Sequence, residues 1–376
     1  MPEPESGDEL AAWIRLTSVP GIGGESQRHL LKAFGLPAAI FAAGGAAVRS
    51  VIGAELAERL ASHDASAEIE AALAWAAESG NRIVTLADAA YPQALLTTAD
   101  PPALLYVKGR AELLNHPALA IVGSRNATKQ GEVNAEAFAA SVAAAGLTVV
   151  SGLALGIDAA AHRGALGVLD GSASTIAVIG TGADRIYPAR NEALTRAIVE
   201  RGCVVSEFPL GTAALPGNFP RRNRLIAGIS LGCLVVEAAE KSGSLITARL
   251  AAEAGREVFA IPGSIHSPLA KGCHQLIRQG AKLVERAEDI LEELHWQKRG
   301  GAATPTPAER PAGDLAAAAL LDHMDEVPVS LDALSARSGL TPADLLAMLL
   351  SLELEGRVAQ LPGGLYQRVN RGQGPN

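Results

Sequence analysis

Apolar positions along this chain follow two spacings, and the change between them sets the order of elements. Over the first 80 residues the spacing is helical at 9–17, breaks at Ser18-Val-Pro-Gly-Ile-Gly-Gly24, and resumes at 25–34 with Leu30, Leu31 and Phe34 apolar. An Ala- and Glu-rich stretch, 54–79, predicts one further helix. Residues 81–86 begin an extended segment, and Tyr91-Pro92 and Asp100-Pro-Pro102 mark turns into the next domain. From Ala103 short apolar runs alternate with helical stretches: 104–107, 118–122, 147–150, 175–179, 204–206, 231–236, 257–261 and 281–284. That alternation predicts an α/β core, a parallel sheet with helices on both faces, whose ligands bind beyond the carboxyl ends of the strands. One run, Ile229 to Val236, shows no polar alternation and reads as a strand buried on both faces. Two polar loops are expected to flank it: Asn218-Phe-Pro-Arg-Arg-Asn-Arg-Leu-Ile-Ala-Gly228, and Glu237 to Ser244, which runs into a helix over 245–254.

After Trp296 the chain turns to Gly, Ala, Thr and Pro, a composition that buries no core and predicts a linker over 296–313. Helices over 314–324, 331–338 and 342–355 and a hairpin over 357–361 and 365–369 then give a winged-helix layout. The expected division is a helical domain at 1–80, the sheet core at 81–295, the linker at 296–313 and the winged helix at 314–370. The third of those helices carries Asp344, Glu353 and Glu355 and no Lys or Arg, so a protein-contacting or regulatory module is expected there rather than a DNA reader.

At 376 residues and 48% hydrophobic content the chain can build two or three domains. The formal charge of −8 and a pI of about 5.6 exclude binding of polyanions over the whole surface and leave only a local patch. Such a patch is visible: Arg221, Arg222, Arg224, Lys241 and Arg249 stand against Glu237 and Glu240 around the two polar loops. Cys203, Cys233 and Cys273 form no close pair, which suits buried thiols in a reducing cytosol better than disulfides or zinc. The start, Met1-Pro-Glu-Pro-Glu-Ser6, lacks the regions of a signal peptide, and no apolar run approaches the roughly 20 residues that span a bilayer, so a soluble cytoplasmic protein is expected.

Four turns at strand ends carry candidate chemistry. Ile121-Val-Gly-Ser-Arg-Asn-Ala-Thr128 leaves a strand at Gly123 and opens a helix, projecting Ser124 and Arg125 over its start like a phosphate cradle. It lacks the Gly-x-Gly-x-x-Gly pattern, and the next strand ends in Ser151-Gly152 where a dinucleotide site wants a carboxylate, so no nicotinamide cofactor is expected. Asp158, in the second turn, is placed to cap a helix and to pair with His162 rather than to bind metal. The third turn, Gly180 to Asn191, has glycines, Tyr187-Pro188 to fix its exit and Asn191 at a helix start. The fourth leads from Ser206 to Phe219, an aromatic among arginines that either plugs the loop onto its own domain or stacks on a base, at roughly 1–3 kcal/mol per stacked base. At the chain's start the Gly-Ile-Gly turn is either a helix-hairpin-helix phosphate contact or a packing corner.

Taken with Ile121-Val-Gly-Ser-Arg125, the motifs Ser151-Gly-Leu-Ala-x-Gly-Ile-Asp-x-x-Ala-His162, Gly180-x-Gly-x-Asp-x-x-Tyr-Pro-x-x-Asn191, Phe219-x-x-Arg-Asn-Arg-x-Ile226 and Val236-Glu-Ala-x-x-Lys-Ser-Gly-Ser-Leu-x-Thr-Ala248 resemble the bacterial DNA-processing protein A family, also called Smf or DprA. Ala260-x-Pro-Gly263 and Gly272-Cys-x-x-Leu-Ile277 close the match. The resemblance implies an extended Rossmann-like core that forms a homodimer, binds single-stranded DNA and loads the RecA recombinase onto it in natural transformation, with no bond made or broken and no cofactor. It assigns the DNA pocket to Gly123, Ser124, Arg125, Gly152, Phe219, Arg222, Arg224, Lys241, Ser242, Gly243 and Ser244. Arg222 and Arg224 could instead form salt bridges to Glu237 or Glu240. The rival function is a nucleoside-monophosphate phosphoribohydrolase using Glu237, but such enzymes carry Pro-Gly-Gly-x-Gly-Thr before their glutamate, whereas Lys-Ser-Gly-Ser follows this one.

Overall fold

A computed structural model describes residues 7–169 and 173–296 and, beyond them, 320, 324, 329–338, 340–341, 345–346, 348–349, 352–353, 358–361 and 365–368. The chain divides into two compact units, Met1–Arg299 and Gly300–Asn376. In the first, helices α1 (Gly7–Ser18), α2 (Gly24–Phe34), α3 (Pro37–Ala42), α4 (Gly45–Ile52), α5 (Ala54–Ser62) and α6 (Ser66–Ala76) come first. The single helix expected over 54–79 is two, because Asp64 accepts the backbone N–H of Ser66 at 3.0 Å and starts a new helix there. Leu16, Leu30, Ile40 and Leu60 close one core among these helices. Trp13, Ile14 and Trp75 pack on Ile83 and Tyr106 of the sheet, with the Trp75 and Tyr106 rings edge-on at 5.6 Å.

The strands are β1 (Asn81–Thr85), β2 (Leu104–Gly109), β3 (Ala118–Val122), β4 (Thr148–Ser151), β5 (Thr175–Val178), β6 (Cys203–Ser206), β7 (Gly232–Val235), β8 (Glu257–Ala260) and β9 (Lys282–Leu283). Among the described residues they form one nine-stranded sheet, ordered β1-β2-β6-β5-β4-β3-β7-β8-β9. From β6 to β9 every pairing is parallel, as expected. At the other edge β2 runs antiparallel to both β6 and β1. The segments entering and leaving β2 carry only short 3-10 turns, Gln93–Thr97 and Ala111–Asn115, not the crossover helix a parallel neighbour needs.

Between the strands run α7 (Lys129–Ala144), α8 (Ile157–Gly167), α9 (Glu192–Arg201), α10 (Asn218–Ile229), α11 (Gly243–Glu253), α12 (Lys271–Arg278) and α13 (Ala287–Glu293). Both sheet faces are covered. Leu119 and Ile121 of β3 pack with Phe138 and Val142 of α7 on one face, while Ala120 and Val122 pack with Leu225 and Ile226 of α10 on the other. The loop expected over 218–228 is therefore the helix α10. Its Arg222, Leu225, Ile226 and Ile229 follow helical spacing and are buried, and Pro220 is tolerated in the first turn. Because α10 runs to Ile229, the strand expected to begin there is only Gly232–Val235.

The second unit holds β10 (Val329–Ser330), α14 (Leu331–Ser338), β11 (Val358–Leu361) and β12 (Leu365–Arg368). The expected hairpin is present as β11 antiparallel to β12, with β10 on the far side of β12. Leu320, Met324, Leu334, Leu345, Leu349, Leu352 and Tyr366 share one core. The linker expected over 296–313, apart from Trp296, and most of the helices expected over 314–324 and 342–355 lie outside the described residues.

Candidate functional site

From β3 the chain proceeds through β4 to one side, whereas β7 lies on the other side of β3 and leads to β8. The loops leaving β3 and β7 therefore part, and a crevice opens at the carboxyl ends of the strands, where open α/β sheets bind ligands. Here it is a cleft of about 630 Å³, walled by the β3–α7 loop, the N-terminal half of α10 and the β7–α11 loop. Nine of the eleven expected residues line it: Gly123, Ser124, Arg125, Phe219, Arg222, Lys241, Ser242, Gly243 and Ser244.

Phe219, on the first turn of α10, is the centre of the cleft's aromatic wall. The Tyr187 ring lies 5.7 Å from it, tilted by 41°, and the Arg125 guanidinium sits 5.5 Å from its centroid. Gly180 makes room for the ring, since a Cβ there would stand 3.1 Å from Phe219. Beneath it, Arg222 is buried and donates from Nη1 to the Val178 carbonyl at 2.7 Å. Gly152 does not line the cleft but adjoins Arg222 so closely that a Cβ would fall 1.9 Å from Nη1. Burial lowers the Arg222 pKa to about 10, which still leaves it charged at neutral pH.

Asp158 departs from expectation. It lies inside α8, and its Oδ2 accepts the N–H groups of Gly152 and Ala154 at 3.1 and 3.4 Å, so it ties down the preceding loop instead of capping its own helix. Burial raises its pKa, against the pull of Arg222 and of those two N–H groups. His162 pairs with Thr175, not Asp158. The Thr175 hydroxyl donates to the Val149 carbonyl at 2.8 Å, so at 2.7 Å the His162 Nδ1–H must be the donor to Thr175, leaving Nε2 buried without a partner.

The two helix N-termini at the cleft differ. Thr128 caps α7 by accepting Gly131 N–H at 2.9 Å, and Glu237 takes the Thr128 N–H at 2.9 Å and its hydroxyl at 2.6 Å. The expected phosphate position at the start of α7 is thus filled by a carboxylate of the chain itself. At α11 Ser242 accepts the Ser244 N–H at 3.3 Å, and the two hydroxyls sit 2.7 Å apart facing the cleft. Arg125 and Lys241 are exposed, and among the described residues neither has a carboxylate within ion-pair distance.

Arg224 is directed elsewhere. It pairs with Glu207 and with Asp100, which also binds Arg28 of α2, and it lines a separate cleft of about 400 Å³ against the Ser18–Gly24 turn. Arg221 joins Glu207 at 3.1 Å, and Arg249 pairs with Glu253 at 3.5 Å. The salt bridges anticipated from Arg222 and Arg224 to Glu237 or Glu240 therefore do not form, and the cationic patch is smaller than the sequence count implied. Tyr187 was assigned only a structural role by sequence, although its place in the turn after β5, at the same sheet edge, was the signal available.

The model of the family described as DNA recombination-mediator protein A matches residues 82–295, and that of the DprA winged helix domain matches 303–364. The chain is 38% identical to Protein Smf of Escherichia coli (strain K12) over 368 residues, 96% of each chain. It is 47% identical to DNA processing protein DprA of Streptococcus pneumoniae over 212 residues, 56% of this chain and 74% of that one. The X-ray structure of the Streptococcus pneumoniae protein superimposes with a TM-score of 0.66 at 37% identity, over 77% of this chain and 98% of that one. DNA processing protein A from Helicobacter pylori, described for its single-stranded DNA binding mode, superimposes with a TM-score of 0.51 at 30% identity, over 57% of this chain and 95% of that one.

Proposed function

The chain belongs to the DNA recombination-mediator protein A family, and on that premise we propose that it binds single-stranded DNA without sequence preference and loads the RecA recombinase onto it in natural transformation and recombination. The observation that carries the DNA-binding part is the pairing of Arg125 and Lys241, two exposed cations without carboxylate partners among the described residues, around one aromatic wall on a chain of net charge −8. The strand's phosphates lie on Arg125, Lys241 and the Ser242 and Ser244 hydroxyls, and an unpaired base stacks on Phe219 and Tyr187. Phosphates and π-faces are common to every nucleotide, so these contacts carry no sequence information. A duplex keeps its bases stacked and cannot present a face to Phe219.

The single-stranded DNA binding mode described for the Helicobacter pylori relative supports single-strand binding, and the family's description as a recombination mediator supports delivery to RecA. No bond is made or broken: Glu237, the glutamate an enzyme would use, is engaged in capping α7. The protein works in the cytoplasm as a homodimer through its Rossmann-like core, with the helical domain, core, linker and winged helix divided at 80, 295 and 313. Among the described residues no helix is long and apolar enough to cross a membrane.

The test is gel-shift titration with short single and double strands, coupled to an assay for released nucleobase from nucleoside monophosphates. Tight single-strand shifts, weak duplex shifts and no free base are expected. Equal affinity for duplex, or base release abolished by Glu237→Gln, would overturn the assignment.

A further inference from the structure

The β3–α7 loop brings Arg125 to the proposed DNA cleft and the β7–α11 loop brings Lys241, so the spacing of the two cations is set by how these loops are joined. Contacts of Val236 and Glu237 join them. The Val236 N–H donates to the Val122 carbonyl at 3.1 Å, and the Glu237 carbonyl lies so close to Gly123 that a Cβ there would stand 2.9 Å from it. The Glu237 carboxylate then spans to the far end of the same loop, where it accepts the Thr128 N–H at 2.9 Å and the Thr128 hydroxyl at 2.6 Å. One residue therefore touches the Arg125 loop at its first and last positions. It does so from behind the wall, since neither Glu237 nor Thr128 lines the cleft. Gly131 bears on the same contact. It is the third residue of α7, its φ lies outside the left-handed region, and alanine would favour the helix there. A Cβ at that position, however, would fall 2.4 Å from the Glu237 carboxyl carbon. The glycine is the seat of the carboxylate.

We infer that Glu237 is a positioning residue for single-strand binding: seated on Gly131 and Thr128, it holds the Arg125 loop at a fixed distance from Lys241, so that both cations meet the strand's phosphates already in place. The inference rests on the cleft being the DNA site proposed above. A cation held in position binds without the cost of ordering its side chain and loop, which is where a residue outside the cleft can act on affinity. The sign of the effect separates position from charge. By charge alone a carboxylate near the site repels phosphate, so its removal tightens binding. By position its removal weakens binding, although a negative charge has gone.

The experiment is fluorescence anisotropy on the full chain with an oligothymidylate across a salt series, on variants whose folding is checked by thermal melting. Glu237→Ala, which removes the carboxylate, and Gly131→Ala, which displaces it while favouring the helix, should each weaken binding about three- to ten-fold, the cost of ordering one long side chain. The salt slope should stay at the wild-type value, because both phosphate contacts are still made in the complex. Glu237→Gln should rescue the affinity, since its amide oxygen accepts the Thr128 N–H and its amide N–H donates to the Thr128 hydroxyl oxygen. In the Arg125→Ala background Glu237→Ala should cost less than about two-fold, because the residue it positions is gone. Wild-type failure to bind the oligomer would defeat the cleft assignment and the positioning role with it. Wild-type binding with Glu237→Ala equal or tighter, or with the Glu237→Ala and Arg125→Ala losses additive, would overturn the positioning role alone. Should Glu237→Ala fail to fold, Gly131→Ala against Glu237→Gln decides in its place.

Discussion

At the scale of single residues, the exposed cations Arg125 and Lys241 carry the strand's phosphates in the proposed complex. Arg125→Ala and Lys241→Ala should each weaken single-strand binding and reduce the log–log salt slope by about 0.7, the contribution of one phosphate in a single strand, with melting temperature unchanged. Anisotropy titrations across a salt series measure both quantities. His162 gives a second expectation, for stability. Burial, with the charge of Arg222 nearby, lowers its pKa from 6.5 to about 3. Between those values the unfolded chain takes up a proton that the folded chain refuses. Folding stability therefore falls as pH drops through this window, by up to about 1.4 kcal/mol per pH unit from this group. Asp158 and Glu207, whose pKa values burial raises, act in the opposite sense, so the difference between wild type and His162→Gln isolates the histidine. Denaturant titrations at neutral and mildly acid pH should show a shallower acid loss in the variant. Arg125 and Lys241 were legible in the sequence because a cation beside glycine or serine in a loop has little to pair with. Arg224 was not, because its partners Asp100 and Glu207 lie far away along the chain.

At the scale of elements, α7 and α11 begin at the same cleft with opposite consequences. The Thr128–Glu237 cap occupies the start of α7, so Glu237→Gln should cost about 0.5–2 kcal/mol of stability while single-strand affinity stays equal or tightens, since a negative charge beside the cleft is lost. Chemical denaturation and anisotropy on the same preparation separate the two effects. A phosphoribohydrolase would instead lose its activity at unchanged stability. The helix α10 was concealed at this scale. Its arginines and asparagines read as a polar loop, although Arg222, Leu225, Ile226 and Ile229 already carried a helical period. The helix fixes Phe219 at one end and buries Arg222 below it, which no flexible loop would do. The antiparallel edge at β2 was concealed too, since strand direction is set by the connection and not by the strand's own composition.

At the scale of the whole molecule, the first unit closes on itself at Trp296, whose indole N–H donates to the Ala145 carbonyl at 2.9 Å. Truncation after Trp296 should therefore leave a folded core that binds short single strands with wild-type affinity and salt slope, as titration of the truncated and full chains would measure; a several-fold loss would assign DNA reading to the winged helix. Sequence by itself determined the alternation of strands and helices, the buried parallel strands and the turns that carry glycine, serine and cation together. These follow from local periodicity and from what a short stretch of chain can satisfy within itself. Only the tertiary structure decided which of those cations stay without carboxylate partners among the described residues, that Tyr187 joins Phe219, and that Glu237 serves a helix. Each of those outcomes depends on which distant side chain arrives first at a buried charge or an open edge, and strand order, which no local pattern encodes, makes that choice.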